Sequence, residues 1–184
     1  MSDVAVATSA TLANGNRAAS MNRGTEAVLL AATGGLALAI GLLVYLTDRG
    51  VSHAVLIPTI GALAGSNLFG ALGQWLPGFV HPFAFSLFTA AALPSWSAWR
   101  YGACAAWCAV NVAFELGQHP SVSARLAEAL HDIFGPTSLT QSLASYFLHG
   151  TFDAGDIGAA ALGAFAAAGL LFLLRRISEN VDAL

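Results

Sequence analysis

The chain has 184 residues, of which 57% are apolar and only 9% are charged, and its formal net charge is −3. A soluble domain carries roughly 25% charged residues, so this composition excludes an ordinary soluble surface and a disordered chain. All seven basic residues are arginines, and the largest basic cluster is the pair Arg175 and Arg176. Without a basic surface that could follow a phosphate backbone, the chain is predicted to bind no nucleic acid. The length fits one domain.

Four segments predict membrane-spanning helices. A helix needs about 20 apolar residues to cross the hydrocarbon core of a bilayer. Four stretches approach or reach this length with few or no charges: 27–47, 80–94, 96–116 and 157–174. The stretch 80–94 is the shortest, and apolar residues just before it extend it. The predicted fold class is therefore an all-α, polytopic membrane helix bundle.

The stretch 54–76 is apolar but is interrupted by proline, glycine and polar residues. It could be a fifth span, a re-entrant segment or a helix at the interface. With four spans, five of the seven arginines fall on one side, whereas five spans would divide them three to four. Because basic residues mark the cytoplasmic side, we favour four spans with both termini in the cytoplasm, and the five-span topology stays open.

Three regions are expected along the chain: a disordered tail over 1–24, one transmembrane domain over 25–177 and a short C-terminal tail over 178–184. The tail at 1–24 is small and polar, so it cannot bury enough apolar surface to order itself. A cleavable signal peptide is not expected, because the first span is too long and lies too far into the chain. Either Met1 or Met21 could be the start.

The segment 118–150 carries apolar residues at helical spacing in two runs, which Gly135 and Pro136 separate. This pattern predicts two short amphipathic helices on the membrane surface. A loop that caps the bundle is an equally weighted alternative.

Small and polar residues predict how the spans pack. In lipid, stripes of small residues allow helices to approach closely. Such stripes occur at steps of four in the last span (Gly155, Ala159, Gly163, Ala167) and in the first (Ala31, Gly35, Ala39). The third span carries one polar stripe that should face the interior of the bundle: Cys104, Cys108, Asn111, Glu115 and Gln118. Its two cysteines lie one turn apart on the same helix, a spacing that is unsuited to a disulfide.

Ionisable residues gather on the predicted outer side. Glu115 and Gln118 lie at the end of the third span, and Asp153 and Asp156 lie at the start of the fourth. His81 lies at the start of the second span, because the proline that follows it suits a first helical turn. These five residues are the candidate ligand-binding site. Carboxylates and imidazole could hold a divalent cation, bind a headgroup or transfer protons, or they could simply hydrogen-bond to one another. The identity of any metal is unknown, no cofactor is indicated and no catalytic residue is assigned.

Several of these residues lie in motifs of a known family. Four short sequences resemble the VanZ-like family of small bacterial membrane proteins over roughly residues 76–174: HPFAF at 81–85, FELGQ at 114–118, FDAGDI at 152–157 and LGA at 162–164. That family pairs Glu-x-x-Gln at the end of one span with Asp-x-x-Asp at the start of the next, which matches Glu115, Gln118, Asp153 and Asp156. The sequence HPFAF looks like the family's His-Phe-x-x-Phe at an earlier span, which matches His81.

The chain departs from the family at three places. His149-Gly150 stands where the family usually has Arg, and Ala160 stands where it usually has Asn. Residues 78–80 stand where it commonly has Asp-Lys. The resemblance implies a bacterial envelope protein, with no firmly assigned reaction.

Two functions are therefore expected to compete. The first is a VanZ-like, multi-pass protein of the bacterial inner membrane, whose outer polar cluster binds a lipid headgroup, another envelope ligand or a cation. The alternative is a non-catalytic accessory or scaffold subunit of a larger membrane complex. An enzyme is the weakest hypothesis, because no nucleophile motif is present. The expected partners are membrane lipid and, for the second function, other membrane subunits.

Overall fold

The protein is all-helical in the computed structural model, which describes residues 2–48, 67–95 and 97–181, with side chains described for 23–48, 67–95 and 97–179. In this part of the chain there are six helices and no strand: α1 (Ser2–Thr47), α2 (Leu72–Ala92), α3 (Ala98–Gly117), α4 (Ser123–Phe134), α5 (Ser138–His149) and α6 (Ala154–Val181).

Each of the four predicted spans lies largely within one of the helices α1, α2, α3 and α6, although α2 begins eight residues before the predicted span 80–94. By length and composition, two helical segments among the described residues could cross a membrane, Arg23–Thr47 within α1 and Ala154–Glu179 within α6. Most of the interrupted stretch 54–76 lies outside the described residues, and its last five residues open α2. The tails at 1–24 and 178–184 stay predictions, although α1 begins at Ser2 and α6 continues to Val181.

Helix α2 lies between the other long helices, and close contacts fix their directions. A Cβ at Gly34 of α1 would lie 3.1 Å from the Ala84 carbonyl oxygen, and one at Gly41 would lie 3.1 Å from Val80. Residue numbers thus rise along α1 as they fall along α2, so these two helices are antiparallel.

Helix α6 runs parallel to α2. Gly78 lies against Asp156, while Gly163, seven residues further along α6, lies against the backbone of Phe79 and the ring of Pro82. Close approach at Gly163 is possible because glycine has no side chain that would separate the two helices.

Helix α3 runs against both α2 and α6. The indole Nε1 of Trp107 donates to Thr89 Oγ1 at 2.9 Å, and its ring stacks on Phe85 at 4.9 Å. The buried core joins side chains of all four helices: Leu30, Leu87, Ala90, Cys104, Ala167 and Leu171.

The two small-residue stripes have opposite outcomes. In α6 the stripe is a helix contact, as expected, because Gly163 touches α2 and Ala159 and Ala167 are buried. In α1 the expected contact is wrong within this chain, since Ala31, Gly35 and Ala39 are exposed. The neighbouring face, with Leu30 and Gly34, makes the contact instead, because α2 offers a large apolar surface that Leu30 can fill.

The polar stripe of α3 faces inward as predicted. Cys104 and Glu115 are buried, and Cys108, Asn111 and Gln118 are half-buried. Both cysteines are free thiols, which confirms that the one-turn spacing does not form a disulfide.

Helices α4 and α5 form a hairpin between α3 and α6, as the two apolar runs predicted. Gly135, at φ 72°, ends α4 in a conformation that favours glycine. A capping box of Thr137 and Thr140 begins α5.

Candidate functional site

Helix ends meet at each end of this four-helix arrangement. We call one the Glu26 end, where residues 23–30 of α1 lie near the end of α2, the start of α3 and the end of α6. We call the other the Glu115 end, where the end of α1 lies near the start of α2, the end of α3 and the start of α6. The candidate residues are at the Glu115 end, apart from His81, which lies deeper along α2.

Glu115 joins α3 to the segment that enters α6. Its Oε1 accepts a hydrogen bond from the backbone N–H of Asp153 at 2.5 Å, and the residue is only 9% exposed. A buried carboxylate needs donors to offset lost hydration, and this N–H, which precedes α6, supplies one. The contact therefore fixes where α6 begins relative to α3.

Asp153 and Asp156 occupy the first turn of α6 and its approach. Asp153 Oδ1 accepts from the Gly155 N–H at 2.8 Å, which is the hydrogen bond of a helix N-cap. The charges of both aspartates act on Glu115. The α6 N-terminus favours such negative groups through its dipole, so three carboxylates can share this end of the bundle.

Two residues of α2 shape the space beside these aspartates. The Trp75 indole nitrogen lies 2.9 Å from where a Cβ of Gly155 would be, so the ring covers the start of α6. Gly78 leaves room for Asp156, whose Oδ1 lies 3.1 Å from where a Cβ of Gly78 would be. A larger side chain at either glycine would push α2 and α6 apart.

Gln118 connects the same end to the α4–α5 hairpin. Its Nε2 donates to the Tyr146 hydroxyl at 2.7 Å, and its side chain packs against the backbone of Gly150. Phe147 packs on Gly117 and on the ring of Phe114, with ring centroids 5.6 Å apart. The hairpin base is thus attached where the candidate residues lie.

The acidic character of this end reaches Tyr146. Partial burial raises the pKa of the Tyr146 hydroxyl, and the nearby charge of Glu115 raises it further. Asp156 acts in the same direction. The phenol is therefore held in its neutral form, as expected beside carboxylates.

His81 is placed differently from the expectation. Pro82 does not open a helix: α2 begins at Leu72, so His81 and Pro82 lie inside it. The His81 ring stacks on Phe85 at 6.1 Å and has the Pro77 backbone as a hydrogen-bonding partner. The expectation failed because Pro82 is tolerated in the interior of α2, where its ring fits against Gly163.

The described residues contain no group of three or more His, Cys, Asp or Glu side chains arranged to hold a metal ion. What the arrangement offers is a negatively charged end with aromatic rings of Trp75 and Tyr146 beside it. Such a surface attracts a cationic group.

Sequence reasoning missed one buried ion pair at the Glu26 end. Arg100 Nη1 lies 2.5 Å from Glu26 Oε1, and their side chains are 4% and 11% exposed. Ser95 Oγ donates to Glu26 Oε2 at 2.9 Å, and Arg100 Nη2 donates to the Leu93 carbonyl at 3.2 Å. Arg100 was expected only as one of the arginines that mark a membrane side. Nothing in the sequence pairs it with Glu26, 74 residues earlier.

Trp75 and Tyr146 were also missed as neighbours of the candidate residues. Tyr146 belongs to the second apolar run of the segment 118–150, but only the fold brings its hydroxyl to Gln118.

None of the three comparisons with known proteins, against protein-family models, curated proteins and solved structures, finds a match for this chain.

Proposed function

We propose that the chain is a VanZ-like integral membrane protein of the bacterial envelope, with α1, α2, α3 and α6 as four spans. The described helices support this. Helices α2 and α3, with 21 and 20 residues, are each about 30 Å long, which is the thickness of the hydrocarbon core. The four helices alternate in direction along the chain, as consecutive spans must.

The outward faces of these helices support a lipid environment. Large apolar side chains are widely exposed on α1 and α6, including Leu36 at 65%, Leu162 at 65% and Phe165 at 75%. A protein in water rarely exposes apolar surface on this scale. In a bilayer the same side chains face acyl chains.

The distribution of charge favours one orientation. Arg23, Arg175 and Arg176 are exposed at the Glu26 end. Basic residues accumulate on the cytoplasmic side, so the Glu26 end and both termini face the cytoplasm in this proposal. The Glu115 end then faces outward.

The proposed activity is binding of an amine-bearing lipid headgroup at the Glu115 end. The observation that carries it is the meeting of Glu115, Asp153 and Asp156 at one bundle end, where their charges act on each other. An ammonium group would offset this negative charge, and the indole of Trp75 adds a face that favours cations.

Retention of lipid tests this proposal. The full chain is purified in nanodiscs of mixed phosphatidylethanolamine and phosphatidylglycerol, and the lipids that stay bound are measured by native mass spectrometry. We expect the wild type to retain phosphatidylethanolamine, and Glu115→Gln and Asp156→Asn to lose at least half of it. Glu128→Gln removes an exposed acid of α4 and is the matched control. Equal retention by all four proteins would contradict the proposal.

A second function rests on a different observation. The stripe of Ala31, Gly35 and Ala39 is exposed in this chain, and small residues on a lipid-facing helix allow a partner helix to approach closely. This favours an accessory subunit of a membrane complex.

Copurification from native membranes in mild detergent tests the second function. A partner should remain with the wild type and be lost from Gly35→Leu, while Gly102→Leu, at an equally open site on α3, should keep it. A wild-type chain that elutes alone would contradict this function.

A further inference from the structure

The α4–α5 hairpin is an arm that is held together internally and attached to the bundle at its base. Its two helices pack against each other, and each has a small buried residue, Ala127 on α4 and Ala144 on α5. Among the described residues, the base meets α3 where Phe147 and Leu126 surround Gly117. The remaining length of the arm extends beyond these contacts.

The tip of the arm has a defined shape and an apolar surface. Thr140 Oγ1 donates to the Gly135 carbonyl at 2.7 Å, so the connection between the helices is hydrogen-bonded to the first turn of α5. This connection displays Ile133, Phe134 and Leu139, which are 71%, 64% and 67% exposed. Three large apolar side chains within seven residues form a compact exposed patch, which favours an apolar partner.

Charge is segregated between the two helices of the arm. Arg125, Glu128 and Asp132 lie at helical spacing on an exposed face of α4. From Ile133 to Leu148 the chain has no charged residue, although much of α5 is exposed. In a helix that lies at the headgroup–acyl boundary, the face toward the acyl chains is apolar and charges are confined to the opposite face. Charges confined to one face of α4, with an uncharged α5 beside it, fit this arrangement.

The apolar face of the arm is continuous with the flank of the bundle. Leu139, Leu143 and Tyr146 lie on one stripe of α5, and the Tyr146 ring meets Phe114 of α3 edge to face at 5.9 Å. Phe114 is itself 41% exposed. The stripe therefore leads onto the side of α3 that faces lipid in the proposed function, and this continuity identifies the bilayer as the partner.

We propose that the α4–α5 arm lies on the outer bilayer surface and inserts Ile133, Phe134 and Leu139 at the headgroup–acyl boundary. This inference rests on the proposed membrane topology. In this position the arm holds Tyr146 against Gln118 at the level of the headgroups. It would thus position the Glu115 end relative to the lipid surface.

Depth-dependent fluorescence quenching tests the inference. Single cysteines are placed at 133, 139, 132 and 162 in the full chain, with Cys104 and Cys108 replaced by alanine, and each is labelled with a polarity-sensitive dye. The proteins are reconstituted in phospholipid vesicles. Lipids that are spin-labelled near the headgroup or deep in the acyl chain quench the dye from inside the bilayer, whereas iodide quenches it from water. Leu162, an exposed residue of α6 inside the predicted span 157–174, reports whether the bundle itself is in the membrane.

We expect the dyes at 133 and 139 to be quenched at least twofold more by the shallow spin label than by iodide, and the dye at 132 to show the reverse. The dye at 162 should respond to the deep label. If 162 responds as expected while 133 and 139 are quenched mainly by iodide, or are shielded from every quencher as in a protein contact, the arm inference is wrong and the topology stands. If 162 is not quenched from the bilayer, the proposed function itself fails.

Discussion

A buried carboxylate lies at each end of the bundle, and the two carboxylates are stabilised by different partners. At the Glu26 end, Glu26 is neutralised by Arg100 and receives a hydrogen bond from Ser95. At the Glu115 end, Glu115 is held by a backbone N–H, and two further acids lie within electrostatic reach. The buried carboxylate is thus neutralised by an arginine at the Glu26 end, whereas at the Glu115 end it lies beside two further carboxylates.

This difference indicates different roles for the two ends. A paired charge that is hydrogen-bonded on several sides gains little from an added ligand, because its hydration has already been replaced. A carboxylate held by a neutral donor beside other carboxylates gains from any cation that approaches. The Glu26 end is therefore expected to serve stability, and the Glu115 end to serve binding. The following predictions test this contrast.

The largest effect is expected from breaking the ion pair. Arg100→Met leaves Glu26 buried and unpaired, which should lower the free energy of unfolding by about 3 kcal/mol, measured by SDS titration in micelles. The double variant Glu26→Gln, Arg100→Met should recover most of this loss.

Arg175→Met is the control for Arg100→Met. It removes the pair with Glu179, in which both side chains are 47% exposed, and it should leave stability nearly unchanged because solvent screens an exposed pair. If the variants at 100 and 175 behave alike, the Glu26 end is not held by its ion pair.

The next largest effect is expected at Gly163, where α6 packs closely against α2. A Cβ at Gly163 would collide with the Phe79 carbonyl oxygen, so Gly163→Ala must separate α2 from α6. We expect a loss of about 2 kcal/mol in the same titration. Gly158→Ala lies on the same helix with nothing within 4 Å of the added Cβ, and it should be neutral or stabilising by up to about 1 kcal/mol. Equal losses at 158 and 163 would show that close packing at Gly163 is not the cause.

Two substitutions of Glu115 distinguish the effect of its hydrogen bond from the effect of its negative charge. Glu115→Ala leaves the Asp153 N–H without its acceptor, which should cost about 1–2 kcal/mol of unfolding free energy. Glu115→Gln keeps an oxygen acceptor, so it should retain most of the stability while losing the negative charge. A Gln variant as unstable as the Ala variant would mean that the charge itself, and not the hydrogen bond, fixes α6.

Much of the fold followed from periodicity and length, because apolar runs of about 20 residues admit few conformations besides helices. The four long helices, the hairpin with its break at Gly135 and the inward polar stripe of α3 agree with prediction. The face that α1 presents to α2 did not, because Leu30 and Gly34 fit α2 better than the small stripe, and side-chain fit is not encoded in spacing. Whether these four helices cross a membrane stays a prediction, although α1 and α6 contain segments long and apolar enough to do so.

The candidate site was partly predictable. Residues at helix ends could be assigned to one end of the bundle, so Glu115, Gln118, Asp153 and Asp156 were found together. His81 is misplaced because Pro82 suggests the start of a helix, whereas the helix begins ten residues earlier. The pair of Glu26 with Arg100 and the contact of Gln118 with Tyr146 depend on tertiary packing between distant segments, which a single sequence does not reveal.

The smallest predicted effect uses Tyr146 to probe the charge of the Glu115 end. Its pKa is raised above the usual value near 10 by partial burial and by Glu115, so the folded state holds the phenol proton more tightly than the unfolded state. The sign follows from this difference: stability is unaffected well below pH 10 and falls as the pH rises past 10. The wild type should therefore lose stability slightly faster than Tyr146→Phe between pH 9 and 11, measured as the thermal midpoint of unfolding in detergent. Glu115→Gln should reduce this difference, because it removes one of the charges that oppose ionisation of Tyr146. If the wild type and Tyr146→Phe keep the same pH profile, the Tyr146 hydroxyl does not sense the acidic end, and the negative field inferred there does not extend to the hairpin.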